Sequence, residues 1–516
     1  MPHDWTVHNV HFQSKLPDQL KTPAATELRR NGLSRALYEE LRNRITDGTY
    51  AVSTALPSTR ALAAERGLSR ATVTLVYEQL AADGFIETRT GAASRVAAGV
   101  GGADSARRQS ARPAATQCPL GQLSSIGERI ATFSIPQASV TKGGEIDFVY
   151  GPLAGSDFPM LAWMKALRAV ERQRSRRLEY EDPRGNLALR KALQAHLSQT
   201  RGLVFSIEQL VIVNGSQQAL ELCARLLVNP GDGVVVENPG YRMAHRVFEA
   251  YGAKLLGVDV DEQGLVTDQL NALGSVQLAY VTPTHQFPLG SFLTIARRRQ
   301  LLAWALERKV WVIEDDYDSE YRYSVRPEAT LLSLDTQGCV IHVGTFSKTL
   351  SPQLRLGYMV LPPALVGTFA EAKRLSDRHA ASGVQRALAL LLEDGSYDRH
   401  VRRIRRLQQT RQRALIHALQ VHLGDQIEVQ GAASGLHLVV WFRKLPANAE
   451  PALVRAAGEQ GVCVYPVGPL YLRGRTLKTS QRNAGLIMGY ALLNEDEIAK
   501  GVRRLALASR QVGAAK

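Results

Sequence analysis

Cysteine is scarce in these 516 residues: Cys118, Cys223, Cys339 and Cys463 stand far apart, with no Cys-x-x-Cys pair. Such spacing excludes a disulfide framework, argues against a zinc site, and fits thiols kept reduced in a cytoplasm. Long apolar runs are missing too. None reaches membrane-spanning length, so no membrane contact is expected. The first residues, with His3, Asp4, Trp5 and His8, lack the charged-then-apolar layout of a secretory leader, and a cytoplasmic location is expected. Acidic residues are in deficit, 48 against 63 Lys and Arg, for a formal net charge of +15. Such an excess favours a polyanionic partner without identifying it. What is present, 45% hydrophobic and 22% charged residues, belongs to a globular protein, and 516 residues predict two or three domains.

Residues 1–29, with three prolines in polar surroundings, read as an arm. Leu33, Leu37, Leu41 and Ile45 then recur every fourth residue, one helix stripe ending at Asp47-Gly48. Ser58 caps a second helix from Thr59 to Glu65, Gly67 turns the chain, and Ser69 caps a third from Arg70 to Ala82. The third helix's buried stripe is Val73, Val76, Tyr77 and Leu80. Two short strands, Gly84 to Arg89 and Ser94 to Val96, surround Gly91. Three helices and a hairpin make a winged helix-turn-helix (α+β) over residues 30–98. Arg70, Thr72 and Thr74 face away from the stripe, and such residues reach guanine edges, phosphates or thymine methyls, although most such clusters are solvated faces. The runs Leu56-Pro57-Ser58-Thr59-Arg60, Ser69-Arg70-Ala71-Thr72-Val73 and Tyr77-Glu78-Gln79-Leu80, with Gly84, closely resemble the GntR-type DNA-binding domain. The resemblance implies contacts to double-stranded DNA from Arg60, Ser69, Arg70, Thr72 and Thr74, and from the wing near Gly91. The family's wing reads Gly-x-Gly-Thr, whereas Gly91-Ala92-Ala93-Ser94 stands here.

Residues 99–142, rich in Ala, Gly, Ser, Gln and Arg, read as a flexible, mildly basic linker. From residue 143 short β-branched runs alternate with helical stretches. Strands are expected at Leu210 to Val213, Val234 to Glu237, Leu278 to Val281, Val310 to Glu314, Cys339 to Val343 and Gly357 to Val360. Continuous apolar runs between helices predict a mainly parallel sheet covered on both faces, with ligands at the carboxyl ends of its strands.

At those ends stand the residues that carry chemistry. Asn214-Gly215-Ser216-Gln217 opens a helix whose N–H groups suit an anion. Asn238-Pro239-Gly240-Tyr241 could hold a tyrosine over a planar ring. Glu314-Asp315-Asp316-Tyr317-Asp318 gathers acids that need a cation; a protonated pyridine nitrogen suits them better than a metal, for which partner acids are lacking. Lys348, in Thr345-Phe346-Ser347-Lys348-Thr349, follows a buried strand, where lost solvation lowers an amine's pKa and lets it attack an aldehyde. Together these describe pyridoxal phosphate.

Over residues 143–512 the chain resembles the fold-type I aminotransferases, in Tyr180-Glu181-Asp182-Pro183-Arg184-Gly185, Asn214 to Leu220, Asn238 to Tyr241, Thr282 to Gly290, Asp315 to Tyr317, and Ser347-Lys348 with Arg355. The resemblance implies pyridoxal 5'-phosphate on Lys348 as a Schiff base, Asp315 on the pyridine nitrogen, Tyr317 on the ring hydroxyl and Tyr241 stacked on the ring. Ser216, Gln217, Ser347 and Arg355 would hold the phosphate, and Tyr180 would reach the phosphate of a neighbouring subunit. The family's ring-contacting Asn has no clean match; His285 or Gln286 stands near its place. Ile487 stands where aminotransferases usually carry the Arg that clamps a substrate carboxylate, with Arg242, Arg246 and Arg473 as possible substitutes.

The large cofactor domain is expected over residues 143–395 and a smaller α/β subdomain over 396–516. The latter opens with a basic helix, Arg399, Arg402, Arg403, Arg405, Arg406, Arg411 and Arg413, either a solvated face or a surface for DNA phosphates. A GntR-type winged helix joined to an aminotransferase-like domain resembles the MocR family of bacterial transcription regulators. The resemblance implies a head-to-tail homodimer on an operator with two half-sites, responsive to a small-molecule effector: pyridoxal phosphate itself, an amine or an amino acid. Two other readings stay open: a working aminotransferase with a DNA-binding appendage, and a constitutive DNA binder with a vestigial cofactor site.

Overall fold

A computed structural model describes residues 23–89, 92–98, 121–133, 145–173, 179–324, 329–472 and 483–514. The chain divides into two compact units, residues 1–121 and 122–516.

The first unit comprises α1 (Pro23–Thr46), α2 (Thr59–Arg66), α3 (Arg70–Ala82) and an antiparallel pair, β1 (Ile86–Glu87) and β2 (Arg95–Val96). Local chemistry sets its boundaries. Ser58 Oγ accepts from the Ala61 N–H at 3.1 Å, and Ser69 Oγ from the Thr72 N–H at 3.1 Å, each satisfying a donor that the first helical turn leaves free. Gly67, at φ 62°, ends α2 in the left-handed region that glycine enters without strain. Leu37, Leu41 and Ile45 of α1 pack with Val73, Val76, Tyr77 and Leu80 of α3, and Ile86 and Val96 close the core beneath the hairpin.

Two expectations change here. The helix starts at Pro23, so the arm assigned to residues 1–29 ends earlier; proline suits a first helical position because the N–H it lacks would be unpaired there anyway. Leu33 is 53% exposed and leaves the stripe. A repeat of four overshoots the 3.6-residue turn by about 40° per step, so three steps carry Leu33 off the face that buries Ile45.

The second unit holds an eight-stranded sheet, in the order β4-β11-β10-β9-β8-β5-β6-β7. Its members follow β3 (Ile146–Asp147) in the chain: β4 (Leu210–Val213), β5 (Gly233–Asn238), β6 (Lys254–Asp261), β7 (Gly264–Leu265), β8 (Leu278–Val281), β9 (Trp311–Asp316), β10 (Val340–Thr345) and β11 (Gly357–Val360). Neighbours pair in parallel from β10 through β9, β8 and β5 to β6; β11 runs antiparallel between β4 and β10, and β7 antiparallel to β6. The strands β4, β5, β8 and β10 are buried along their whole length, as the unbroken apolar runs require. Separate apolar clusters cover the two faces.

A smaller sheet, β12-β13-β16-β15, follows: β12 (Ile427–Gln430), β13 (His437–Pro446), β15 (Tyr465–Pro466) and β16 (Asn483–Gly489). The helices Ser396–His422 and Glu495–Ala514 pack on it. The pair β3 and β14 (Val462–Cys463) ties the beginning of the aminotransferase-like region to this subdomain, with Ile146 and Phe148 in its core. Residues 145–148 therefore pack with the region assigned to 396–516.

The linker assigned to 99–142 is also shorter than composition indicated. Residues Ser125–Ala131 form a helix capped by Ser124, and Arg129 Nε donates to the Ala250 carbonyl at 2.7 Å. That contact attaches the segment to the second unit. Within the basic helix Ser396–His422, Arg411 is no surface charge: it is buried, donating to Asp157 Oδ2 at 2.7 Å and to the Ala491 carbonyl at 2.8 Å.

Candidate functional site

The carboxyl ends of β4, β5, β8, β9 and β10 deliver side chains to one cavity of about 480 Å³. Tyr241, Ser216, Gln217, Asp315, Tyr317, Ser347, Lys348 and Arg355, eight residues assigned to the cofactor from sequence, all line it. The antiparallel β11 brings Arg355, just before its first residue, to the same edge.

One wall is an anion cup. The chain leaves β4 through Gly215, at φ 81°, and starts the helix Ser216–Leu227. That φ favours glycine, and a Cβ on Gly215 would stand a tight 3.1 Å from Arg355 Nη2. Arg355 Nη2 donates to the Asn214 carbonyl at 2.8 Å, holding its charge over the helix start, where the free N–H groups and the helix dipole already favour an anion.

The same cavity is lined by Asp315 and Lys348. The four acids at the end of β9 are partnered differently. Glu314 accepts from the Leu331 N–H at 2.7 Å and meets His342 Nδ1 at 2.9 Å. Asp316 Oδ2 lies 3.4 Å from Arg201, and Asp318 Oδ2 lies 2.8 Å from His285 Nδ1. Asp315 receives the Tyr280 phenol on Oδ2 at 2.7 Å, but its buried Oδ1 has no hydrogen-bond partner among the described residues. Burial raises the Asp315 pKa to about 6, against the Tyr280 hydrogen bond and with help from Asp316. Lys348 Nζ donates to the Gly151 carbonyl at 2.8 Å. Burial pulls its pKa below the ordinary lysine value, although Asp318 and Asp315 oppose the shift. An acid with one unpartnered oxygen, an amine whose pKa burial lowers and an anion cup thus share one cavity.

His285 is a correction. It does not line the cavity; it lies behind Tyr317, whose hydroxyl is 3.0 Å from His285 Nδ1, and it is buried against Asp318 and His437. Gln286 also points inward, donating to the Pro239 and Phe287 carbonyls. The side chain facing the cavity at this point is Phe287, packed among the rings of Tyr150, Tyr241, Tyr317 and His437. His285 and Gln286 already have buried polar partners, which leaves Phe287 as the residue that can face an apolar wall. Ile487 is buried in the same apolar cluster, with Phe287, Leu289 and Val439. Tyr180 is 75% exposed and stands away from this cavity, its ring under Arg378. Among the described lining residues the only arginine is Arg355; Arg473 lies outside the described residues.

Sequence reasoning missed Tyr280, Glu237, Thr282, Tyr150 and His437. Tyr280 had a faint signal, a phenol inside an apolar strand that must find a partner. Glu237 accepts from Thr282 Oγ1 at 2.5 Å, and burial raises its pKa to about 7. Tyr150 and His437 had none, because they arrive from the smaller subdomain.

In the first unit, Arg60 and Arg70 are exposed and make no side-chain hydrogen bond or ion pair among the described residues. The hydroxyls of Ser69 and Thr72 bond to each other at 2.8 Å, and Thr74 Oγ1 donates to the Arg70 carbonyl at 2.9 Å. Arg60, in the first turn of α2, and Arg70, at the start of α3, thus remain free donors among the described residues, while the hydroxyls order the first turn of α3. Gly91 lies outside the described residues.

Comparison with known proteins agrees with both halves. Residues 33–96 match the family described as bacterial regulatory proteins, gntR family, and residues 150–505 match aminotransferase class I and II. The Bacillus subtilis HTH-type transcriptional regulator YhdI is 33% identical over 94% of this chain and 98% of its own. The probable rhizopine catabolism regulatory protein MocR of Rhizobium meliloti is 34% identical over 92% and 93%. Among solved structures, the α-aminoadipate aminotransferase LysN from Thermus thermophilus, complexed with N-(5'-phosphopyridoxyl)-L-leucine, is 27% identical over 77% of this chain and 96% of its own, with a TM-score of 0.64. A gntR-type winged helix and a fold-type I aminotransferase fold joined in one chain, alike over almost their whole length to such regulators, make this protein a member of the MocR-type HTH transcriptional regulators.

Proposed function

We propose that this regulator holds pyridoxal 5'-phosphate in the cavity at Lys348 and reads an amine or amino acid effector there, converting its presence into a change in operator binding. The observation that carries the reading is the buried, unpartnered Asp315 Oδ1 in one cavity with the Lys348 amine and the Arg355-guarded helix start. When bound, the cofactor supplies an aldehyde for amines and a ring nitrogen that takes up a proton.

The chain's own residues have definite tasks. Asp315 accepts that proton's hydrogen bond with Oδ1, and Tyr280 keeps Oδ2 oriented. Lys348, whose pKa burial lowers, is the nucleophile for the aldehyde. Ser216, Gln217, Ser347 and Arg355 hold the phosphate. Tyr241 and Phe287 cover the ring, Tyr317 turns its hydroxyl toward the ring oxygen, and His285 behind it fixes that hydroxyl. Tyr180, exposed in one chain, reaches the cavity of the partner in a head-to-tail dimer, which also presents two α3 helices to an operator with two half-sites. On the DNA, Arg60 and Arg70 make the direct contacts, with Thr72, Thr74 and Ser69 at the backbone and Gly91 in the wing. The place of action is the cytoplasm.

The test is an operator titration with protein alone, with pyridoxal phosphate, and with pyridoxal phosphate plus candidate amines. A ligand shifts binding only by its differential affinity for two arrangements, so operator affinity changes about 5- to 150-fold. Lys348→Ala abolishes the change. Identical affinities in every state refute the sensor and leave a constitutive DNA binder.

A further inference from the structure

A second cavity, of about 400 Å³, opens beside the first, between the end of helix Leu187–Arg201, the loop after β9, and the start of helix Ser396–His422. Its charged lining is lopsided: Arg201, Arg322, Arg402 and Arg405 against Glu320 and Asp398. Neutralisation inside the cavity is incomplete. Arg201 is held by Asp316 at 3.4 Å and Glu320 at 3.6 Å, and Asp398 stands 3.3 Å from His196. Arg322, Arg402 and Arg405 make no side-chain hydrogen bond or ion pair with the described residues, and Arg322 Nε is buried without a partner. Burial, with Arg201 nearby, holds the Arg322 pKa below its ordinary value, although Asp316 and Glu320 oppose the shift.

No fold needs three unpaired guanidiniums around one hollow; like charges there oppose folding unless an anion joins them. We infer that this cavity is a binding site for a small phosphomonoester, separate from the cofactor cavity. Each guanidinium offers a planar fork of donors that matches two phosphate oxygens, and three of them suit a dianion better than a single carboxylate. A small molecule fits better than a duplex backbone: Arg201 and Ser319 lie deep, 12% and 5% exposed, out of reach of a phosphate on a rigid helix. The volume is within the range of small-ligand pockets. The loop that carries Ser319 and Arg322 continues directly from Asp315 and Tyr317, so the two cavities share one strand end.

The experiment is calorimetric titration of the full-length protein with inorganic phosphate at constant ionic strength. Arg402 and Arg405 are exposed, so Arg402→Gln/Arg405→Gln folds normally. That variant binds phosphate at this site at least about tenfold more weakly. Arg406→Gln/Arg413→Gln, which removes equal charge from exposed positions of the same helix outside the cavity, keeps wild-type affinity. Arg355→Gln, which disables the anion cup of the cofactor cavity, keeps this binding event. Equal weakening by the two double variants would reduce the effect to net charge and overturn the inference. So would loss of all phosphate binding in Arg355→Gln. If Arg402→Gln/Arg405→Gln binds phosphate normally but weakens binding to unrelated duplex DNA, these arginines face DNA and the inference is also wrong. None of these outcomes depends on pyridoxal phosphate occupying the first cavity.

Discussion

The Tyr280 phenol donates a 2.7 Å hydrogen bond to Asp315 Oδ2, and both side chains are buried. One oxygen of Asp315 is thereby fixed, and the other is left for a ligand. Asp315→Ala removes the acid whose unpartnered oxygen belongs to a lining residue of the cavity and should weaken pyridoxal phosphate binding by about 3 kcal/mol, the scale of a broken buried charge pair. Tyr280→Phe leaves the acid present but misdirected and should cost about 1 kcal/mol. Both are read by titrating the visible absorption of the bound cofactor. Unchanged affinity in Asp315→Ala would transfer the role to another acid of β9.

Lys348 gives a direct optical test. Wild-type protein incubated with pyridoxal phosphate should turn yellow, and Lys348→Ala should lack that band while still able to hold free cofactor. A colourless wild type would refute cofactor attachment at this lysine.

Glu237 predicts a pH dependence. Its pKa is about 7 in the folded protein against an ordinary 4.5, with burial as the main cause. The folded state therefore holds this proton more tightly than the unfolded chain. The resulting stability is fully present below the unfolded value and is lost as pH rises through the folded one. Glu237→Gln keeps the shape and removes the proton linkage. Urea denaturation should show wild-type stability falling by up to about 3 kcal/mol between about pH 4.5 and 7 relative to the variant. Parallel pH profiles would show that Glu237 stays ionised through that window.

Ile487 sets the expectation for catalysis. It packs with Phe287, Leu289 and Val439 where a carboxylate clamp would be needed. Turnover with common amino acids should accordingly be far below the rate of about 10 per second typical of enzymes. Stopped-flow or coupled assays reaching that rate would restore the aminotransferase reading.

Arg70 opens α3, exposed and unpaired among the described residues. Arg70→Ala should weaken operator binding by roughly 1–3 kcal/mol, the value of a good bidentate base contact. A similar loss on unrelated DNA would identify a phosphate contact instead, and undiminished operator binding would take α3 out of the interface.

Features decided within a few residues were legible in the sequence. Ser58, Ser69 and Gly67 bound their helices as read, because a cap or a left-handed turn depends on one side chain and the adjacent backbone. The apolar strands were legible because burial on both faces leaves an unbroken run; β6, half exposed near the sheet edge, broke that pattern and was missed. Eight of the residues that line the cavity were readable as a set because most stand at or just past the carboxyl end of a strand, and a parallel sheet brings such ends together.

What the sequence by itself determined is therefore the apolar strands, the helix caps of the first unit and the chemistry available at the strand ends. Tertiary structure alone decided which neighbour each polar group meets. It turned Phe287 to the cavity and His285 behind Tyr317, paired Asp316 with Arg201 while leaving Asp315 Oδ1 free, and buried Arg411 on Asp157 across 254 residues of chain. It also drew β3 into the smaller subdomain and fixed the helix Ser125–Ala131 to Ala250. The physical reason is the same in each case. A cap is satisfied locally, whereas a buried charge or ring is placed by whatever distant surface removes it from water, and residue spacing carries no record of that surface.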